Sequence, residues 1–469
     1  MFLNITKIRQ FFAKLCLVLT VKTVVGFFYS PYLRIMSRTT TFQYLGISMR
    51  HHRLAQILIA MTGMSVLATA HANFVDDSQV QLKFKNFYLD RQYQDTPQKN
   101  WGSWSQAVTL DAKSGYHDLG ALQVGVDVLV QHAVRLNGRD KNADWVLPHN
   151  GKEQADHFGK VGATLKAKLA KTELRVGEIL PATPVVHFDP SRQLLTTYNG
   201  VWLESKDIDK TKITLGYLDS INARYENQAH DFNLWPQPLD TQKSKQNDGM
   251  YVAGVDYQAT PELGLSYFYG DVDNIYRQNY LGVAYNKTID AQNKLATHVR
   301  YFDNREAGEA LYGDIDSQAL SLKAAWTHGN HIIDAGWQQM FGEHGAQAMF
   351  FPTLSGWVPQ PYLANWSVAS FIREDEKSWS LGYSYNFKDV GVNGLTATVR
   401  HYEGWDARNK DGSKGQEDEN NLILNYVVPE GKLKGLGLNY MYIDVNYDNI
   451  TGFSDLEEHR AAITYNYKF

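Results

Sequence analysis

Val80-Gln81-Leu82-Lys83-Phe84-Lys85 is the stretch on which the fold turns. In an extended chain Val80, Leu82 and Phe84 fall on one face and Gln81, Lys83 and Lys85 on the other, because successive strand side chains point to opposite sides. The same alternation recurs in residues 162–169, where Ala163, Leu165, Ala167 and Leu169 oppose Thr164, Lys166 and Lys168, and again in 295–301, 320–326 and 395–401. Each such segment has one apolar and one wet face. A soluble sheet would pack the apolar face on a second sheet. Here the segments run about eight to twelve residues, longer than ordinary globular strands and close to the ~9–11 that a tilted membrane strand needs.

The connections support the membrane reading. Short turns are expected near 114–120, 170–172, 207–212, 260–264, 289–294, 328–331, 388–394 and 429–435. Longer polar stretches lie between them, near 92–106, 135–158, 178–199, 221–249, 270–278, 303–316, 341–373, 403–420 and 444–459. Short turns on one rim and long loops on the other are the habit of outer-membrane barrels. Seventeen connections give eighteen antiparallel strands; without the two weakest turns, at 207–212 and 328–331, the count falls to sixteen. The expectation is an all-β chain forming one transmembrane antiparallel β-barrel, with short periplasmic turns, long extracellular loops and one loop folded inward. At its end, Ile463, Tyr465, Tyr467 and Phe469 share a face up to the terminal Phe, a pattern that resembles the assembly signal of bacterial outer-membrane barrels.

Composition agrees. Hydrophobic residues make 43% and aromatic residues 13%, with 28 Tyr against 21 Phe, while mean hydropathy is −0.39. The apolar fraction excludes a disordered chain. Most of the aromatic rings are expected in a lipid-facing girdle. The single cysteine, Cys16, excludes a disulfide framework. The formal net charge of −4 conceals a front segment of opposite sign. Residues 1–72 hold eight Lys and Arg and no Asp or Glu, so removing them leaves about −12. Met49-Arg50-His51-His52-Arg53, an apolar run over 54–67 and Ala70-His71-Ala72 form the three parts of a secretory signal. The expected organisation is an upstream extension or misplaced start over 1–48, a signal peptide over 49–72 and the barrel over 73–469. The competing reading of 1–48 is a membrane anchor around its apolar run.

If the apolar face meets lipid, the wet face lines a lumen wide enough for water. Strand parity points eight cations inward: Lys83, Lys85, Lys166, Lys168, Arg175, Arg300, Lys323 and Arg400. It points Asp127, Glu173, Asp256 and Asp334 inward as well, while Glu417-Asp418-Glu419 is expected on the solvated rim. Several weak cationic sites along a pore admit an anion and still release it. The blander reading is that these cations only solvate the lumen or pair with the acids.

A more specific resemblance is carried by motifs. Asn86-Phe87-Tyr88-Leu89-Asp90-Arg91, Lys171-Thr172-Glu173-Leu174-Arg175-Val176-Gly177, Leu180-Pro181-Ala182-Thr183-Pro184-Val185 and Asp189-Pro190-Ser191-Arg192-Gln193-Leu194-Leu195 resemble the opening, a central strand and the third loop of the OprD family of substrate-specific outer-membrane porins. The resemblance implies a monomeric eighteen-stranded barrel with a ladder of basic side chains. The ladder would be the eight cations above, and 178–199, with Pro181 and Pro184, would be the constriction loop, with Asp189 and Arg192 near the eyelet. The implied cargo is small organic anions or zwitterions such as amino acids and aromatic acids, with carbapenem antibiotics as incidental passengers. Implied partners are outer-membrane lipid, lipopolysaccharide and, through Phe469, the barrel assembly machinery. Five of the eight ladder residues are lysines, which hold a carboxylate as a point charge and not as a fork.

No catalytic residue, metal ligand or cofactor is expected. The chain has no GxSxG, CxxC, HExxH or Walker loop. Asp444, Asn446 and Asp448 have the spacing of the first calcium-loop ligands, but Asn449 stands where that loop needs Gly and Asp455 where it needs Glu. Net charge gives no reason to expect nucleic acid. Two alternatives stay open: a general, non-specific porin and a barrel-borne hydrolase of the outer membrane.

Overall fold

The computed structural model describes residues 77–469 apart from 139–141, 237, 245, 346, 348, 357 and 358. The extension over 1–48 and the signal segment over 49–72 lie outside the described residues. The chain runs through β1 (Gln79–Tyr93), β2 (Trp101–Lys113), β3 (His117–Leu119), β4 (Leu122–Gly138), β5 (His157–Leu169) and β6 (Thr172–Ile179). It continues through β7 (Thr197–Ser205), β8 (Thr211–Asn222), β9 (Met250–Gln258), β10 (Leu263–Val272), β11 (Tyr276–Thr288) and β12 (Asn293–Glu306). The last third is β13 (Asp316–His328), β14 (His331–Glu343), β15 (Lys377–Asn386), β16 (Leu395–Arg408), β17 (Lys414–Val427), β18 (Gly437–Asp448) and β19 (Leu456–Lys468).

Consecutive strands pair antiparallel, β2 and β3 excepted, and β1 closes the sheet on β19, with Gln81 opposite Lys468 and Tyr93 opposite Leu456. Closure removes the free edges that lipid cannot hydrogen-bond. β2 and β3 both pair with β4, Lys113 opposite Asp127 and His117 opposite Val124. They are one barrel strand interrupted at 114–116, so the barrel has eighteen strands. The interruption has a local cause. The Ser114 hydroxyl accepts from Val126 N at 2.8 Å, and its carbonyl accepts from the Lys166 ammonium at 2.8 Å.

Parity holds around the wall. Leu165, Leu281, Val299, Val399 and Ile463 are 65, 55, 45, 52 and 47% exposed on the outer face. Apolar exposure on this scale is a surface for lipid, not for water. Seven of the eight short turns fall where the sequence places them, while the one expected over 114–120 shrinks to 120–121 because 117–119 is strand; Ala170 and Gly329 turn their hairpins with φ of 53° and 55°. The opposite rim departs from expectation. The stretches around 92–106, 270–278 and 403–420 are mostly strand, leaving only short links such as the one between Val272 and Tyr276. Their residues are polar because the strands stand clear of the lipid there, and polar alternation reads as loop.

The hydrophobic core lies inside the barrel. The described residues of loops 180–196, 223–249 and 344–376 fold into the lumen and bring Val185, Phe232, Phe351 and Ile372 against Trp202, Phe268, Phe302 and Met340 of the wall, all of them buried. This corrects the expected girdle. Tyr88, Trp104, Tyr301 and Trp326 do face outward, but Tyr198, Trp202, Phe268, Phe302, Phe351 and Phe371 are core residues. Each such ring removed from water contributes roughly 1.5–3 kcal/mol, and together they pin the loops.

Candidate functional site

Loop 180–196, between β6 and β7, folds into the lumen. Phe188 N donates to the Pro181 carbonyl at 2.9 Å, and Thr183 N donates to Val186 O at 3.0 Å, so the loop folds back on itself. Pro181 and Pro184 fix φ and lack an N–H, leaving their carbonyls to make the contacts. The Pro184 carbonyl accepts from Gln360 Nε2 at 2.9 Å, and His187 Nε2 meets the Pro359 carbonyl; these two contacts form a seam with loop 344–376. Asp189 is fully buried and does not line the opening. Its carboxylate pairs with Arg224 at 2.5 Å and accepts Ser191 N at 2.7 Å. Burial alone would raise the Asp189 carboxyl, but the Arg224 charge and the Ser191 bonds hold it below the usual range. The Asp189–Arg224 pair is a clasp between two loops.

Further cations of the wall meet the same loop. Lys85 of β1 donates to the Pro190 carbonyl at 3.3 Å and to the Arg192 carbonyl. Arg192 is 6% exposed; its guanidinium donates from Nη1 to the Ser191 carbonyl at 3.3 Å, and among the described residues its Nε has no hydrogen-bond partner. The neighbouring charges include Arg224 and Arg460 as well as Glu458 and Asp189. Lys160, buried in β5, donates to the carbonyls of Leu195 at 2.9 Å, Asn222 at 3.1 Å and Ala223 at 2.5 Å. It thereby locks the end of loop 180–196 to the end of β8.

The eight ladder residues fall into two groups. Lys83 pairs with Asp111 at 2.7 Å, Lys166 with Asp127 at 2.6 Å, and Arg175 with Glu173 and Glu204 at 3.1 Å each. Lys323 and Arg400 share one acid, Asp334, at 3.3 and 2.6 Å. Gly382 sits between Asp334 and Arg400 in the register, and a Cβ there would lie 2.5 Å from Asp334 Oδ2 and 2.8 Å from Arg400 Nε. Among the described residues, Lys85, Lys168 and Arg300 make no ion pair. Lys168 lies over the Tyr116 ring at 5.7 Å; Arg300 donates to the Tyr362 carbonyl at 2.9 Å and stacks on its ring at 5.0 Å. The fourth acid, Asp256, is held by Lys212 at 3.1 Å and Ser266 at 2.7 Å.

The sequence reading passed over Lys160, Arg224, Arg460 and the Glu458 that binds Arg91 and Arg460. Lys160 shares parity with Lys166 and Lys168, and Glu458 and Arg460 oppose Ala461 and Ile463, so carrying the alternation to the strand ends finds them. Arg224 sits in a loop and leaves no periodic signal. Glu417 and Glu419, expected on the rim, are buried at 1 and 0% exposure on the inner wall, because β17 is already a strand at that height.

A closed sheet, apolar outside, polar inside and narrowed by its own loops, defines a porin: a non-enzymatic diffusion channel of the bacterial outer membrane. The chain belongs to the OprD family, whose profile, described as outer membrane porin, OprD family, matches residues 72–469. It is 28% identical to the porin-like protein GalP of Pseudomonas putida over 397 residues, covering 84% of this chain and 92% of that one. The barrel resembles the crystal structure of Acinetobacter baumannii OccAB4 with a TM-score of 0.78 at 34% identity, over 85% of this chain and all of that one. It also resembles Pseudomonas aeruginosa OpdK with vanillate, TM-score 0.76 at 27% identity, over 84% of this chain and all of that one.

Proposed function

We propose that this channel passes small carboxylate-bearing solutes, steered through the constriction by Lys85, Arg192 and Arg300, with Lys168 and the Lys323–Arg400 pair as further rungs. The observation that carries this reading is the set of cations that no carboxylate neutralises. Lys85, Arg192 and Arg300 donate to carbonyls and Lys168 lies over a ring, so among the described residues no carboxylate takes up their charge. In a narrow, low-dielectric passage such charges focus a field and raise the local anion concentration. Lys83, Lys166 and Arg175 already hold acids and contribute less. The vanillate in the OpdK structure carries a carboxylate, as do the amino acids, aromatic acids and carbapenems proposed as cargo. We place Phe469 among the assembly contacts, since its ring is 75% exposed on the outer face.

The test is solute block. In planar bilayers, benzoate or glutamate added to one side should reduce single-channel current along a saturating curve, and Arg300→Gln should weaken that block. A general porin would show a linear, non-saturating effect, and that result removes substrate selectivity from the account.

A further inference from the structure

Loop 344–376 is fastened to the wall by carboxylates. Glu417 of β17 accepts Phe371 N at 2.8 Å and pairs with the Arg373 guanidinium. Glu419 accepts Ala369 N at 2.7 Å and the Ser367 hydroxyl. A third acid, Glu376, ends the loop: its Oε2 accepts Arg373 N at 2.8 Å, while Oε1 is buried with no hydrogen-bond partner. None of the three is more than 1% exposed. Gly404 of β16 makes the room, for a Cβ there would lie 2.6 Å from Glu376 Oε1 and 2.8 Å from the Phe371 ring.

The surrounding charges do not balance this cluster. Among the described residues Arg373 is the one cation ion-paired to it, and its guanidinium also faces the rings of Phe453 at 4.5 Å and Tyr447 of β18 at 5.8 Å. Arg460 of β19 acts on Glu419 from further off, but it is engaged with Glu458, as is Arg91 of β1. Glu374 and Asp375, beside Glu376, turn to Arg408 of β16. Tyr402 of β16 presents a phenol, and its nearest charges are Arg400 and Glu419. Three buried carboxylates against one paired guanidinium cannot all ionise without leaving uncompensated charge in the interior.

We propose that Glu376, buried beside Glu417, keeps its proton and works as a proton-operated latch on loop 344–376. The neutral carboxyl lets the loop sit against β16 and β17. When its O–H ionises, the proton leaves to water and the second buried anion repels Glu417, so the loop loosens. The seam of Gln360 and Pro359 with loop 180–196 carries that loosening to the constriction. Burial, then the adjacent Glu417, pushes the Glu376 carboxyl well above the usual carboxylate range. The sign follows. A group whose pKa is raised in the latched state loses that state's stability as pH climbs from the ordinary value, about 4.3, to the raised one. The latch is therefore firm in acid and weak in alkali.

Single-channel recordings of the whole purified porin from pH 5 to 9 test this, with Glu376→Gln as the permanently neutral variant. The wild type should show several-fold more gating transitions at pH 9 than at pH 6, and Glu376→Gln should stay quiet throughout. Hydrogen exchange of the wild type supplies a second readout, with the amides of Ala369 and Phe371 losing protection over the same range beyond the intrinsic acceleration. Gating that is flat with pH in the wild type, or equally pH-dependent in Glu376→Gln, overturns the latch. Protection of those amides that is unchanged at pH 9 does so as well. Solute block is a separate measurement, so this inference and the proposed cargo fail independently.

Discussion

Loops 180–196 and 344–376 enter the same lumen from the same rim and are held there by opposite charges. The first hangs on ammonium and guanidinium groups: Lys85 and Lys160 donate to its carbonyls, and Arg224 grips Asp189. The C-terminal end of the second hangs on carboxylates, where Glu417 and Glu419 accept its amide N–H groups, and among the described residues only its Tyr362 carbonyl takes a guanidinium, that of Arg300. Backbone has both a donor and an acceptor at nearly every residue, so either sign of side chain can fasten a loop. The sign chosen stays behind as the electrostatics of that side of the channel. A loop docked through its carbonyls leaves cations in the wall, and one docked through its amides leaves acids.

Variants break this contrast in order of size. The largest effect is expected for Arg224→Ala, which leaves the Asp189 carboxylate buried and unpaired at a cost of about 3–5 kcal/mol. The constriction loop should come free, and single-channel conductance should rise while the barrel still runs as a heat-modifiable band in gels. Phe351→Ala, in the core shared by the two loops, should cost about 3–5 kcal/mol, read as a lower thermal transition. If the conductance of Phe351→Ala rises less than that of Arg224→Ala, charge dominates the docking. Lys160→Met keeps the stem but strands three carbonyls, with an expected loss of about 1–3 kcal/mol and faster hydrogen exchange around Leu195. Lys83→Gln is the smallest. Its pair with Asp111 is partly exposed, such pairs contribute at most about 1 kcal/mol, and neither stability nor selectivity should move measurably.

Much of this was legible in the residues themselves. Alternation in 80–85 and 162–169 is enough to assign inside and outside, since a one-residue slip would bury Lys83 in lipid. The turn at 170–172 is plain in the residues, whereas the one at 328–331 is among the two weakest. What could not be read is which charge meets which. Lys166 and Lys168 look equivalent in sequence, yet the register sets Asp127 within reach of Lys166 alone. Asp189 and Arg192 sit three residues apart in one motif, and one is clasped by a loop arginine while the other is left unpaired. Glu417 and Glu419 share a run with Asp418, and only the continuation of β17 up to Lys414 brings them under the inward parity of Asn421. Pairing depends on strand stagger and loop return, neither of which leaves a periodic mark.

The central claim is that unpaired cations, not the total of inward cations, set the selectivity of this channel. Reversal potential under a potassium chloride gradient across a planar bilayer tests it most directly. The wild type should be anion-selective. Neutralising Lys85 and Arg300 together, as Lys85→Gln with Arg300→Gln, should move the reversal potential strongly toward zero, whereas Lys83→Gln with Arg175→Gln should barely shift it. Cation selectivity in the wild type, or equal shifts for the two double variants, would contradict the account.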